Sequence, residues 1–308
     1  MAGEPMSVTI GVPDLISPSY FPAIAAVELG FFKQRGLPAE IRTIFPIADT
    51  FRAQASGEID FVAGAAHAAL YEYRDWVGCR LVCALSQNMY WFLVVRSDMR
   101  VERGELAGVV GLRIAAAPGP VDGLREMLRL AGIDPDRDVE IVPPKGGSSI
   151  SFGVNAARSL EDGHVDAFWA NGMGARVAVD GGFGTVVIDA RRGDGPGGST
   201  DFTFPALVAT ERQLVDSADM VRAAVGAVTD AQHALKKEPE RAINAAEDHF
   251  PESEKSQISS LVRTDSPFYD PAISMQKVAS LNEFSRRIGL LGREVSYDEV
   301  VATDLGMW

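Results

Sequence analysis

The stretch Lys145-Gly146-Gly147-Ser148-Ser149-Ile150-Ser151 has the composition of an anion cradle. Backbone amides at Gly147 and its neighbour, the Ser148 and Ser149 hydroxyls and one ammonium together suit a carboxylate, sulfonate or phosphate. A surface turn would have the same composition, so both readings stand. Ser17, Ser19 and Tyr20 precede an apolar helical pattern whose unpaired first-turn amides favour an anion, although either serine could serve only as the helix cap. Gly119, in Pro118-Gly119-Pro120-Val121-Asp122, opens a second such helix, with Asp122 as its expected cap.

His67, in Gly64-Ala65-Ala66-His67-Ala68-Ala69, directly follows a strand pattern, where open α/β sheets present ligand-facing residues. Contact with a ligand through Ala66 and His67, proton transfer by His67, and a histidine bonded to backbone at a helix start are all open. Trp169 and Asn171 occupy the corresponding place after a later strand. Asn88-Met89-Tyr90-Trp91 and Phe202-Thr203-Phe204 are two further aromatic groups; Asn88, Trp91 and Phe204 could meet a flat ligand or belong to the core.

Other chemistries lack their residues. Gly193, Gly195 and Gly198 satisfy G-x-G-x-x-G, but Pro196 interrupts the pattern and Phe202-Thr203-Phe204 stands where a helix should begin. There is no Walker A sequence, no H-E-x-x-H and no paired C-x-x-C, so neither a cofactor nor a metal is expected. Cys79 and Cys83 alternate along a strand, about 13 Å apart at Cα, too far for a disulfide. His164, His233 and His249 lie in polar or helical surroundings and read as surface residues.

The elements that would position these groups read as one unit written twice. Val8 to Val12, a loop, a helix from Pro22 to Phe32, Gly36, a strand from Ile41 to Phe45, a helix from Ala48 to Ser56 and a strand from Ile59 to Ala63 make the first copy. Leu112 to Ala116, Pro118-Gly119-Pro120, a helical pattern, Gly132, Val139 to Ile141 and Gly163-His164-Val165-Asp166-Ala167-Phe168 make the second. Alternating strands and helices predict an α/β fold with mixed, mostly parallel sheets. Two such lobes facing each other would form a cleft.

Arg80 to Leu85, Tyr90 to Arg96 and Phe202 to Thr210 read as strands, the latter two crossing between lobes as a hinge. Helical patterns follow at Ser217 to Lys237, Pro239 to His249, Glu254 to Thr264 and Ser274 to Ile288, with no further strand. They cannot build a parallel-sheet lobe alone, so they should pack on the first. The domain plan is then residues 1–95 and 205–308 for lobe 1 and an inserted lobe 2 at residues 96–204. The repeated aspartates Asp60 and Asp166 should orient backbone amides at turns.

The 308 residues are 46% apolar, enough to bury a core in each lobe of a monomer. A formal charge of −13 without a Lys/Arg stripe argues against nucleic acid. No apolar run reaches a membrane span. Met1-Ala2-Gly3-Glu4-Pro5-Met6 has neither part of a secretory signal, so either an export signal has been removed or the protein works in the cytoplasm.

The pieces Ala25-Ala26-Val27-Glu28-Leu29-Gly30-Phe31-Phe32-Lys33-Gln34-Arg35-Gly36-Leu37, Ser56-Gly57-Glu58-Ile59-Asp60-Phe61 and Gly163-His164-Val165-Asp166-Ala167-Phe168-Trp169, in this order, resemble the type II periplasmic binding proteins. The likeness is to the branch that binds nitrate, sulfonates, taurine and thiamine precursors, and Tyr269-Asp270-Pro271-Ala272-Ile273-Ser274 extends it. It implies two α/β lobes that close on a small anionic or aromatic ligand, delivered to an ABC permease if the protein is exported. Ligand contacts would fall at Ser17, Ser19, Tyr20, Ala66, His67, Gly119, Gly147, Ser148 and Ser149 and near Trp169 and Asn171. The same scaffold resembles a few cytoplasmic enzymes, among them a desulfinase, a decarboxylase and thiamine-pyrimidine synthases. A lyase here would rely on His67 and Lys145, and a cytoplasmic ligand sensor is a third reading.

Overall fold

The computed structural model describes residues 7–15, 17–144, 152–247, 250 and 252–305. The expected anion cradle at 145–151 and His249 lie outside the described residues. Chain contacts divide the molecule into two units, one comprising Met1–Gln87 and Phe204–Trp308, the other Asn88–Thr203.

In the first unit, short apolar runs form β1 (Val8–Val12), β3 (Phe61–Ala65) and β4 (Cys79–Ala84), and the alternating, partly exposed Ala-Glu-Ile-Arg-Thr forms the edge strand β2 (Ala39–Thr43). In the second lie β5 (Phe92–Arg96), β6 (Arg113–Ala116), β7 (Glu140–Val142), β8 (Ala167–Ala170) and β9 (Gly184–Asp189). The chain then returns to the first unit with β10 (Pro205–Thr210). The strand orders are β2-β1-β3-β10-β4 and β7-β6-β8-β5-β9. These are the same arrangement twice. In each, the first three strands pair in parallel and one antiparallel strand follows the third. That antiparallel strand is the one entered after the chain changes unit, β10 in the first sheet and β5 in the second. Both also carry a register shift against the outermost strand, at Leu207/Val208 and at Leu93/Val94.

This pairing moves the expected domain boundary. The sequence assigned residues up to 95 to the first lobe, whereas β5 hydrogen-bonds to β8 and β9 and so goes with the second. The crossings themselves, at Gln87 to Asn88 and Thr203 to Phe204, lie just outside the strands.

The repeated aspartates close matching loops. Asp60 accepts the Thr9 amide at 2.8 Å and donates its own amide to the Thr9 carbonyl at 2.9 Å. Asp166 does the same with Arg113, at 3.0 and 2.8 Å. Each therefore pins the strand-opening turn before β3 or β8 to the start of the first strand of its copy.

The helix expected over Pro22–Phe32 is broken. α1 (Phe21–Glu28) ends before Gly30, whose φ of 77° reverses the chain into α2 (Phe31–Gln34). Glycine takes this left-handed geometry without a Cβ clash. α1 is buried on nearly every side and packs under a long later helix, α8 (Ala218–Lys237). Before α8 come α3 (Ile47–Ala55), α4 (Pro120–Leu130), α5 (Phe152–Glu161), α6 (Gly172–Asp180) and α7 (Glu211–Asp216). The buried face of α8, Val221, Ala224, Val225, Val228, Ala231, Gln232 and Leu235, follows the helical period. α9 (Arg241–Ala245), α10 (Glu252–Asp265), α11 (Met275–Arg287) and α12 (Tyr297–Val300) complete the first unit, as the absence of a strand pattern after Thr210 implied.

Cys79 and Cys83 are free and buried on β4. Burial pushes both thiols up, Cys79 far above the ordinary thiol range and Cys83 to about 12. The unfolded chain would release these protons above about pH 8.5, and the folded chain would not. Their contribution to stability is therefore full below about pH 8.5 and is lost as pH rises toward the folded values. At pH 8 a thiol reagent such as Ellman's should titrate no cysteine in the native chain and both in guanidinium; a fast-reacting native thiol would contradict the burial.

Candidate ligand-binding site

In both sheets the parallel core has the order second, first, third strand, so the first and third strands diverge in their onward connections. Ligands of open α/β sheets sit beyond the carboxyl ends of such strands. In the first unit these ends lead into the Ser17–Tyr20 turn after β1 and the 3-10 helix Ala66–Tyr71 after β3.

Ser17, Ser19 and Tyr20 are all buried. The turn is closed by the Tyr20 amide on the Ser17 carbonyl at 3.2 Å, and the Tyr20 carbonyl accepts the Ala23 amide at 2.9 Å. Tyr20 occupies the N-cap position of α1, and its side chain makes no capping bond. The Ser17 hydroxyl is 1% exposed and has no hydrogen-bond partner among the described residues. A buried hydroxyl left in that state costs about 1–3 kcal/mol, so it needs an account.

Ala66 donates its amide to the Phe204 carbonyl at 2.9 Å, one step beyond the β3–β10 register. His67 is fully enclosed, with its ring edge-on to Phe284 of α11 at 5.4 Å and near Tyr71 at 6.3 Å. Phe204, whose carbonyl holds the Ala66 amide, is buried as well.

The second unit repeats the geometry with larger side chains. Gly119, at φ 92°, holds the N-cap position of α4, and Pro120 opens the helix. Asp122 is therefore in the first turn and is not the cap, a correction that follows from Pro120: its fixed φ and missing N–H suit the first helical position. Trp169, fully buried on β8, donates its indole N–H to the Pro120 carbonyl at 2.8 Å and so ties the third-strand end to the start of α4. Asn171 caps α6, accepting the Gly174 amide at 3.2 Å. Trp91 faces Trp169 at 6.1 Å and Tyr90 at 4.6 Å. One step beyond the β5–β8 register, Trp91 stands opposite Asn171 as Phe204 stands opposite Ala66. Asn88 takes a left-handed φ of 68° and donates to the Arg191 carbonyl at 3.0 Å. Asparagine tolerates that backbone better than most residues.

Arg191 is the residue the sequence reading passed over. It stands just ahead of the Gly193–Gly198 loop, is 2% exposed, and its guanidinium lies 5.8 Å from the Tyr90 ring centre. Only tertiary packing could reveal a buried cation there. Next to it, Asp189 accepts from Arg192 at 2.7 Å. Gly193, Gly195 and Gly198 all have positive φ in a looped segment, as Pro196 suggested. His164 and His233 are exposed. Among the described residues, no group of three or more His, Cys, Asp or Glu side chains is placed to hold a metal ion. Lys145, Gly147, Ser148 and Ser149 lie outside the described residues.

Known proteins give the arrangement a context. The family model described as NMT1/THI5 like matches residues 17–242. No curated protein matches the chain. Among solved structures, the alkanesulfonate-binding protein SsuA from Xanthomonas axonopodis pv. citri, bound to MOPS, superposes with a TM-score of 0.71 at 15% identity, covering 99% of both chains. The periplasmic nitrate-binding protein NrtA from Synechocystis PCC 6803 gives 0.69 at 15% identity, over 98% of this chain and 88% of that one. The desulfurization enzyme DSZB gives 0.66 at 15% identity, over 97% of both.

Proposed function

This chain belongs to the NMT1/THI5-like family and has the two-lobe fold of type II periplasmic binding proteins, and from that premise we propose that it is a solute-binding protein of an ABC importer. Its ligand is a small organic molecule with an anionic or aromatic part, of the carboxylate, sulfonate or pyrimidine type. The carrying observation is the Ser17 hydroxyl, buried and without a partner among the described residues at the carboxyl end of β1. A ligand oxygen or nitrogen arriving there would complete its hydrogen bonding, which is a gain available only on binding.

Tyr20, Ser19, the Ala66–His67 turn and Phe204 supply the remaining contacts in the first unit. An exported protein of this kind presents its ligand to a membrane permease. Among the described residues no helix is long and apolar enough to cross a membrane.

A thermal-shift screen across organic acids, sulfonates and pyrimidines tests this reading. A specific ligand at a hundredfold its Kd should add about 2.7 kcal/mol of stability by mass action, with the ligand recovered unchanged. Product formation that His67→Ala abolishes would overturn it in favour of a lyase on the same scaffold.

A further inference from the structure

Tyr269, which opens the last piece of the family resemblance, is not among the proposed ligand contacts. It is buried in the segment after α10, and its hydroxyl donates to the Pro18 carbonyl at 2.7 Å, inside the turn between Ser17 and Ser19. The same segment grips the end of β4. The Phe268 carbonyl accepts the Gln87 amide at 2.8 Å, and the Pro271 carbonyl accepts the Ala84 amide at 2.9 Å. The Asp270 and Ala272 carbonyls accept the Gln87 side-chain amide at 3.0 and 2.9 Å. Gln87 is the last residue of the first unit before the chain leaves it.

The segment is stiff. Pro267 and Pro271 fix two φ angles, and the Asp270 carboxylate accepts the Ala272 amide at 3.0 Å. From α8, Gln232 donates to the Ala84 and Leu85 carbonyls at 3.0 and 2.8 Å, so the end of β4 is held on a second side. One short piece of chain thus holds the turn after β1 through the Tyr269 hydroxyl and the exit of the chain through hydrogen bonds to Ala84 and Gln87.

We propose that Phe268–Ala272 is a latch that couples the Ser17–Tyr20 turn to the crossing segment at Gln87, with Tyr269 as its positioning residue. A shift of the turn moves the Pro18 carbonyl, the rigid phenol ring carries the shift to the Tyr269 backbone, and the neighbouring carbonyls pass it to Gln87. That the shift comes from a ligand rests on the solute-binding reading; the mechanical coupling does not.

Amide hydrogen exchange on the full chain without ligand tests the coupling. Tyr269→Phe removes one hydroxyl and keeps the ring, and should speed exchange at Tyr20, Ala23 and Gln87 by about 5- to 10-fold, leaving β6, β8 and α8 unchanged. Gln87→Met, which removes the side-chain bonds at the other end, should speed Tyr20 and Ala23 in turn. Unchanged exchange at Tyr20 and Ala23 in both variants, or a uniform rise across the first unit, would overturn the latch. With benzenesulfonate as the probe, the wild-type chain should slow at both the turn and Gln87, and Tyr269→Phe at the turn alone. If benzenesulfonate alters nothing in the wild type, this sulfonate is not a ligand, and the ligand-free comparison decides the latch by itself.

Discussion

Ser17→Ala should weaken binding of the strongest ligand from the thermal-shift screen by about tenfold or more while leaving the ligand-free protein as stable as before, or more so. The two effects have one cause. The hydroxyl is buried and has no hydrogen-bond partner among the described residues, so its removal takes away an unsatisfied group whose burial costs about 1–3 kcal/mol. In the bound state the same hydroxyl would donate to a charged ligand oxygen, and a hydrogen bond to a charged group contributes about 1.5–3 kcal/mol. Titration calorimetry and the ligand-free melting temperature measure the two sides separately. A loss of ligand-free stability above about 1 kcal/mol would mean that the hydroxyl has a structural task, and the binding assignment would fall with it.

Gly174→Ala should be among the most damaging single changes to the second unit. A Cβ at Gly174 would stand 2.4 Å from the Gly153 carbonyl oxygen and 2.7 Å from its carbon. Both are backbone atoms of α5, so relief requires α5 and α6 to separate. The reverse contact is as tight, since a Cβ at Gly153 would lie 2.4 Å from the Asn171 side-chain oxygen that caps α6. Around this crossing Ala156, Ala157, Ala175 and Ala178 keep the two helices close over Phe168 and Val94. Forcing them apart opens that core, and overpacking of this kind costs about 2–3 kcal/mol. Gly197→Ala is the control: nothing lies within 4 Å of a Cβ there, and its effect should stay within about 0.5 kcal/mol. Thermal unfolding of both variants decides the matter, and equal melting temperatures would refute the close-packing argument.

Strand and helix content was legible because apolar periodicity and glycine or proline stops are local signals. The two copies, the role of Asp60 and Asp166 and the packing of α8 onto the first unit all follow from such patterns, whereas the antiparallel pairing of β10 with β3 and of β5 with β8 does not. The break at Gly30 was not legible, since a glycine inside an apolar helical run is as compatible with continuation as with a reversal. Nor was the membership of β5, because an apolar strand pattern does not say which sheet will supply its partners; β8 and β9 did. At the site, loop positions after β1, β3, β6 and β8 could be named from order alone.

What each side chain does in those loops was decided elsewhere. Residue order by itself determined a duplicated α/β unit and the loops that end its strands, because hydrogen-bonded periodicity and turn chemistry act over a few residues. Tertiary structure decided that Gly119 and not Asp122 caps α4, that Arg191 is buried against Tyr90, that the Ser17 hydroxyl has no described partner, and that Tyr269 reaches Pro18 across 251 positions of chain. Burial and hydrogen-bond satisfaction depend on neighbours distant in sequence, and no local pattern carries them.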